Sequence, residues 1–191
     1  MPQKMVSLAP LFKAYAELES DIRELQSGMF SDVCGLCTSC CCTPNICEES
    51  QDSAFLRQIQ KTHAAGAMFC DRFGWLTEKG CALSVGRPPI CYEFFCDDII
   101  ESIPEFERDW IRGLGRLIPW VGRRAVGPRH LVEVMEDEDL ILHLKVDRVM
   151  GRIAVARKAF SGAKKALRGM AASDDEQDAM REISGSGQFD S

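Results

Sequence analysis

The chain has 191 residues, with 23 Lys and Arg against 29 Asp and Glu, a net charge of −6 and 46% hydrophobic residues. That apolar content excludes disorder over the whole chain. The longest apolar runs, such as Leu140-Ile141-Leu142, fall far short of the roughly 18–20 residues a membrane-spanning helix needs, and the mildly acidic balance does not mark a general nucleic-acid binder.

Leu8, Leu11, Phe12, Tyr15, Leu18, Ile22 and Leu25 recur at spacings of three and four, which predicts an amphipathic core-packing helix over 10–27. Pro10 suits its first turn, and Gly28 sits where a helix stops. Residues 31–52 are cysteine-rich and contain Gly35, Pro44 and Asn45, so they read as a loop with little for an apolar core to hold. A second helix is expected from an N-cap at Asp52 or Ser53 to Gly74, with Phe55, Leu56, Ile59, His63, Ala67 and Cys70 on one face. Cys70 there reads first as a small buried hydrophobe. Lys79-Gly80 reads as the turn of a small hairpin, and Pro88-Pro89 bars a helix.

Ser102 followed by Glu105 predicts a capping box, with Pro104 in the first turn of a third helix. Phe106, Trp110, Leu114, Leu117, Ile118 and Val121 mark its apolar face, Pro119 should kink or end it, and Gly127-Pro128 is a firm break. Residues 138–168 read as one long helix or two in tandem. Beyond about 171 the polar, Gly- and Ser-containing stretch predicts a disordered tail. The expected fold is mainly α, with cysteine-rich, metal-organised loops between helices and at most a small hairpin. Four segments follow: an N-terminal amphipathic helix at 1–30, a cysteine-cluster region at 31–100, a helical region at 101–170 and an acidic tail at 171–191.

Charge is uneven along the chain. Residues 145–170 carry eight basic side chains against Asp147, a net +7, while 1–144 sum to −8 and the tail to −5. A basic helix can bind phosphate or an acidic partner. The plainer reading is that it pairs with the protein's own acidic body or tail.

The ten cysteines all lie between residues 34 and 96, six of them within 34–47. Met1 to Pro10 holds one lysine and no apolar run of the kind a secretory signal needs. That points to the cytoplasm, where thiols stay reduced and clustered cysteines hold metal rather than disulfides. Cys34-Gly-Leu-Cys37-Thr-Ser-Cys40-Cys41-Cys42 repeats a two-residue gap, which lets two thiolates turn toward one ion. Cys47 follows closely. Gly80-Cys81 and Arg87-Pro-Pro-Ile-Cys91-Tyr-Glu-Phe-Phe-Cys96 supply a second group. The bacterial ferredoxin spacing fails, because its fourth cysteine would fall at Pro44, although Cys47 or Cys91 could complete an iron–sulfur cluster in another way. All-thiolate sites suit zinc or iron–sulfur, and a closed set of four ligands leaves no place for a substrate. Neither a phosphate-binding loop nor a His-Glu protease motif is present, so a catalytic role is not indicated. Arg87 and Lys79 lie near the second group and could offset thiolate charge.

The set Cys34-x-x-Cys37-x-x-Cys40-Cys41, then Gly80-Cys81, then Arg87-Pro88 and Cys91-x-x-Phe94-x-Cys96, resembles the bacterial YkgJ-type, or CxxCxxCC, cysteine-cluster family, described as a zinc- or iron-chelating domain. The resemblance covers roughly residues 30–96. It implies a chelating module with eight thiolate ligands, of which Cys34, Cys37, Cys40, Cys41, Cys81, Cys91 and Cys96 match by position. The family's usual further cysteine before Arg-Pro is missing from Leu83-Ser-Val-Gly86. Cys47 is the first substitute, ahead of Cys42 and Cys70.

Overall fold

The computed structural model describes residues 8–36, 43–77, 80–136 and 143–185, and of 31–36 and 134–136 it describes the backbone alone. Among these residues the protein is mainly helical, with a single two-stranded antiparallel hairpin. The elements in order are α1 (Ala9–Leu36), α2 (Pro44–Asp52), α3 (Ala54–His63), β1 (Leu76–Thr77), β2 (Gly80–Cys81), α4 (Ile90–Glu93), α5 (Asp97–Ser102), α6 (Glu105–Gly122), a 3-10 turn (Leu131–Glu136), α7 (Val146–Ala166) and α8 (Asp174–Ser184). The hairpin pairs Leu76 with Cys81 and Thr77 with Gly80.

Leu11, Tyr15, Leu18 and Ile22 are fully buried on one face of α1. The helix does not stop at Gly28 but runs on to Leu36. Gly28 meets open space, so it costs the helix about 1 kcal/mol, while burying Phe30 contributes about 1.5–3 kcal/mol. Burial of Phe30 outweighs the glycine cost, and the helix continues. Phe30 packs against Phe95, with ring centroids 5.7 Å apart, and against Ile99, Ile103 and Ile111.

The expected loop at 31–52 is therefore partly helix. Its first residues extend α1, and Pro44 opens α2 at a position where its missing N–H is harmless. The second helix is shorter than its periodicity suggests. Ser53 caps α3 as expected, its hydroxyl accepting the Leu56 N–H at 3.3 Å and donating to the Val132 carbonyl at 2.7 Å. The helix ends at His63, because Ala64-Ala65-Gly66 offers no large apolar side chain to bury and Gly66 turns with φ +98°. Ser102 does not cap α6. Its hydroxyl donates to the Ile99 carbonyl and closes α5, and Pro104 stands at the N-terminus of α6.

Pro119 stays inside α6, one turn from its end. The His130 ring lies over Gly122, where an added Cβ would collide with it. Its Nε2 is 3.0 Å from the Pro119 carbonyl, and Nδ1 accepts the Val132 N–H. His130 is thus held neutral, and burial lowers its pKa.

The acidic tail departs furthest from expectation. Residues 174–184 form α8, opened by a capping box between Ser173 and Glu176. Ala179, Met180 and Ile183 are buried. Gly113 and Gly162 leave room for it: an added Cβ would overlap the Met180 sulfur at the first and lie 2.9 Å from the Glu176 Cβ at the second. Three apolar residues among many acids were too few to shift the composition, yet they share one face. Basic α7 also pairs internally. Arg157 meets Glu17 at 2.8 Å and Asp21 at 3.8 Å, and Lys165 meets Glu176 at 2.7 Å.

The core does not respect the expected segments. One cluster joins Leu11 to Ile22 of α1, Phe55, Leu56 and Ile59 of α3, Val85, Tyr92, and the buried faces of α6, α7 and α8. No helix of the described residues is long and apolar enough to cross a membrane.

The α7–α8 junction predicts an acid transition. Hydrogen bonds from Lys165, then Ser161 and the Ser173 N–H, lower the Glu176 pKa from 4.5 to about 2. Its contribution is complete above 4.5 and is lost as pH falls toward 2. Glu176→Gln should flatten this part of an acid titration followed by circular dichroism. Identical profiles for both proteins would refute the assignment.

Candidate metal centre

The region that carries the cysteines is organised around a carboxylate on an apolar helix face. Glu19 follows Leu18 and lies one turn after Tyr15, and it is fully buried. Its carboxylate accepts the Gly86 N–H at 2.7 Å, the Arg87 N–H at 2.7 Å and the Tyr92 hydroxyl at 2.6 Å. Burial pushes its pKa up, and the three donors and the Arg87 charge pull against that rise. Burial likewise holds the Tyr92 hydroxyl well above its ordinary value, so it stays a donor. One carboxylate thus fastens α1 to the chain between Gly86 and Tyr92, where Arg87-Pro88 and Cys91 lie.

Gly86 completes the joint. It has φ +77°, and its carbonyl accepts Gln60 Nε2 at 2.8 Å. An added Cβ would meet Gln60 Cγ at 2.5 Å and the Leu56 carbonyl at 3.1 Å. α1, α3 and the 86–92 segment therefore meet at one glycine. Arg87 donates from Nε to the Leu83 carbonyl at 2.9 Å and lends its charge to Glu19. Gln26, further along α1, donates to the Tyr92 carbonyl at 3.5 Å. Glu19 was legible only as an acid at a helical spacing that otherwise carries apolar residues.

The cysteines fall into two neighbourhoods. Cys47 is buried in α2, packed with Trp75, Leu83 and the half-buried Cys81. Gly74, with φ +60°, lies against it so closely that an added Cβ would be 2.6 Å from the Cys47 sulfur. Cys70 and Gly74 exchange backbone hydrogen bonds, 2.8 Å from Cys70 N–H to the Gly74 carbonyl and 2.6 Å in return. The Trp75 indole donates to Ser50 at 2.7 Å, and Ser50 donates to the Cys47 carbonyl at 2.7 Å. Cys70 itself is exposed, not buried as its helical spacing suggested.

The second neighbourhood lies at the far end of α1. Cys91 stands in α4, and Cys96 occupies the N-cap position of α5. Cys96 packs in the same cluster as Phe30, and Cys34 is one turn beyond Phe30 in α1. Cys37, Cys40, Cys41 and Cys42 lie outside the described residues. Among the described residues no three His, Cys, Asp or Glu side chains stand close enough to hold an ion. Cys47, Cys81, Cys91 and Cys96 would therefore need thiolates from 34–42 to close a site. The donors are all sulfur, which suits zinc or iron–sulfur.

Compared with known protein families, curated proteins and solved structures, the chain matched none.

The Glu19 joint makes three predictions. Glu19→Gln should destabilise the fold by about 1–3 kcal/mol in chemical denaturation, because an amide nitrogen cannot accept the donors a carboxylate takes. Because burial raises the Glu19 pKa, the folded state binds this proton more tightly. Its contribution falls as pH rises from 4.5 through the raised value, and the variant should lack that fall. Gly86→Ala should cost at least about 2 kcal/mol through left-handed strain and the clash with Gln60. Wild-type stability in either variant would refute the joint.

Proposed function

We propose that the protein is a metal-ion-chelating protein of the YkgJ-type cysteine-cluster kind. It binds zinc or iron through thiolates and serves a structural or metal-handling role, not a catalytic one. The observation that supports the reading is the packing of the second cysteine group's Cys96 against the last described turns of α1. Cys96 packs beside Phe30, one turn before Cys34 opens the C-x-x-C-x-x-C-C run. The Glu19 joint supports it, because it holds the Arg87-to-Cys91 stretch on the same helix.

Cys34, Cys37, Cys40, Cys41, Cys81, Cys91 and Cys96 are the proposed ligands, with Cys47 as the eighth. Cys47 has the better claim than Cys70, since it shares a cluster with Cys81. An ion there would tie the Cys34-to-Cys42 stretch to the 81–96 segment. Structural zinc contributes roughly 10–16 kcal/mol of apparent binding energy in small zinc peptides, ample to order a loop with little core of its own. A cytoplasmic location and a protein partner go with this reading.

The test is elemental analysis of protein purified without oxygen or a metal-affinity column. Stoichiometric zinc or iron is expected, and Cys34→Ser or Cys96→Ser should lower it while Cys70→Ser leaves it unchanged. Colourless protein with zinc excludes a cluster; brown protein with iron and acid-labile sulfide establishes one. A chelator should open residues 31–96 to protease. Metal-free protein, or full metal content in Cys96→Ser, would refute the reading.

A further inference from the structure

The basic charge of α7 divides into two parts. Arg157 and Lys165, in its middle and C-terminal turns, are used internally by Glu17, Asp21 and Glu176. Arg148 and Arg152, one turn apart near its N-terminus, have no such carboxylate partner among the described residues. Their neighbours are Arg123 and Arg124, which follow the last turn of α6. Arg152 donates to the Arg123 carbonyl and lies over the Trp120 ring, 5.6 Å from its centroid. Among the described residues none of these four arginines has a carboxylate at ion-pair distance. The acid nearest in effect is Glu182, and it is outweighed, since burial and then Arg148, Arg124 and Arg123 lower the Arg152 pKa.

Among the described residues these four arginines have no ion-paired carboxylate, and they repel one another. Arg124 adds an independent observation. It has φ +49°, the left-handed conformation just past a helix end, and no other non-glycine among the described residues has a positive φ. Glycine is the favoured residue there, because a Cβ crowds the following carbonyl oxygen in this conformation. An arginine at a glycine position is a side chain retained against local strain, which points to use of its charge.

We propose that Arg123, Arg124, Arg148 and Arg152 form a docking surface for a short acidic segment of a partner protein. Guanidinium groups pair with carboxylates in a planar, two-bonded way and lose little hydration in doing so. Arg123, Arg124 and Arg148 are exposed, spread over the junction of two elements. That layout suits several carboxylates along a chain better than one small anion. A nucleic acid fits less well, because its evenly spaced phosphates would extend over a body whose net charge is −6.

The test uses the full chain and a fluorescently labelled peptide rich in Asp and Glu, followed by anisotropy at several salt concentrations. Binding should weaken as salt rises. Arg124→Gly and Arg148→Gln should each weaken it about tenfold, the loss of one charge-assisted contact. The melting temperature should hold in Arg148→Gln and hold or rise in Arg124→Gly, which separates lost binding from lost folding. Lys158→Gln and Lys164→Gln, exposed elsewhere on α7, should leave affinity unchanged. Equal weakening by those lysine variants, or none by the arginine variants, would overturn the proposal. So would tighter binding of a single-stranded oligonucleotide than of the peptide. Binding that emerges only after Asp137, Glu138 and Asp139 are neutralised would also overturn it, since the chain's own acidic run would then be the occupant.

Discussion

The Glu19 carboxylate is the contact on which the arrangement of this protein depends. It is a charge-bearing group inside an apolar helix face, and its cost is offset by three donors from one short stretch of chain. Two are the backbone N–H groups of the successive residues Gly86 and Arg87, and Gly86 takes a positive φ there. The third is a tyrosine hydroxyl on the neighbouring short helix. An apolar residue at position 19 would bury well but would leave those donors unmatched. The carboxylate therefore supplies direction where the apolar core supplies only attraction.

From that joint the rest of the cysteine region follows. With residues 86–92 fixed on α1, α4 lies against α6, where Gly115 admits the Tyr92 carbonyl, and α5 meets the end of α1 through Phe30 and Phe95. Cys96 is carried into that contact. On the other side of Gly86, Gln60 and Ser50 link α3 to α2, and Trp75 closes over Cys47. The described part of this region is held by ordinary hydrogen bonds and packing.

The charge pattern has a similar division of labour. The acidic C-terminal stretch is not a solvated counterweight to a basic helix. It is a packed helix whose Glu176 is fixed by Lys165 and Ser161 and whose Met180 fills the space that Gly113 leaves. Part of the basic excess is used in this way and against Glu17 and Asp21. Another part gathers where α6 ends and α7 begins.

The sequence by itself determined the helical class, the presence of one small hairpin, the Ser53 cap and the candidate thiolates, because each rests on local periodicity, local turn chemistry or residue type. Only the tertiary structure decided that α1 runs past Gly28, that residues 174–184 fold, that Ser102 closes α5 rather than opening α6, and that Arg87 lends its charge to a buried acid. Most of those outcomes are set by a partner remote in sequence: Phe95 for Phe30, Gly113 for Met180, Glu19 for Arg87. Local pattern carries no information about what will stand opposite a side chain, and burial against that partner is worth more than the propensity it overrides.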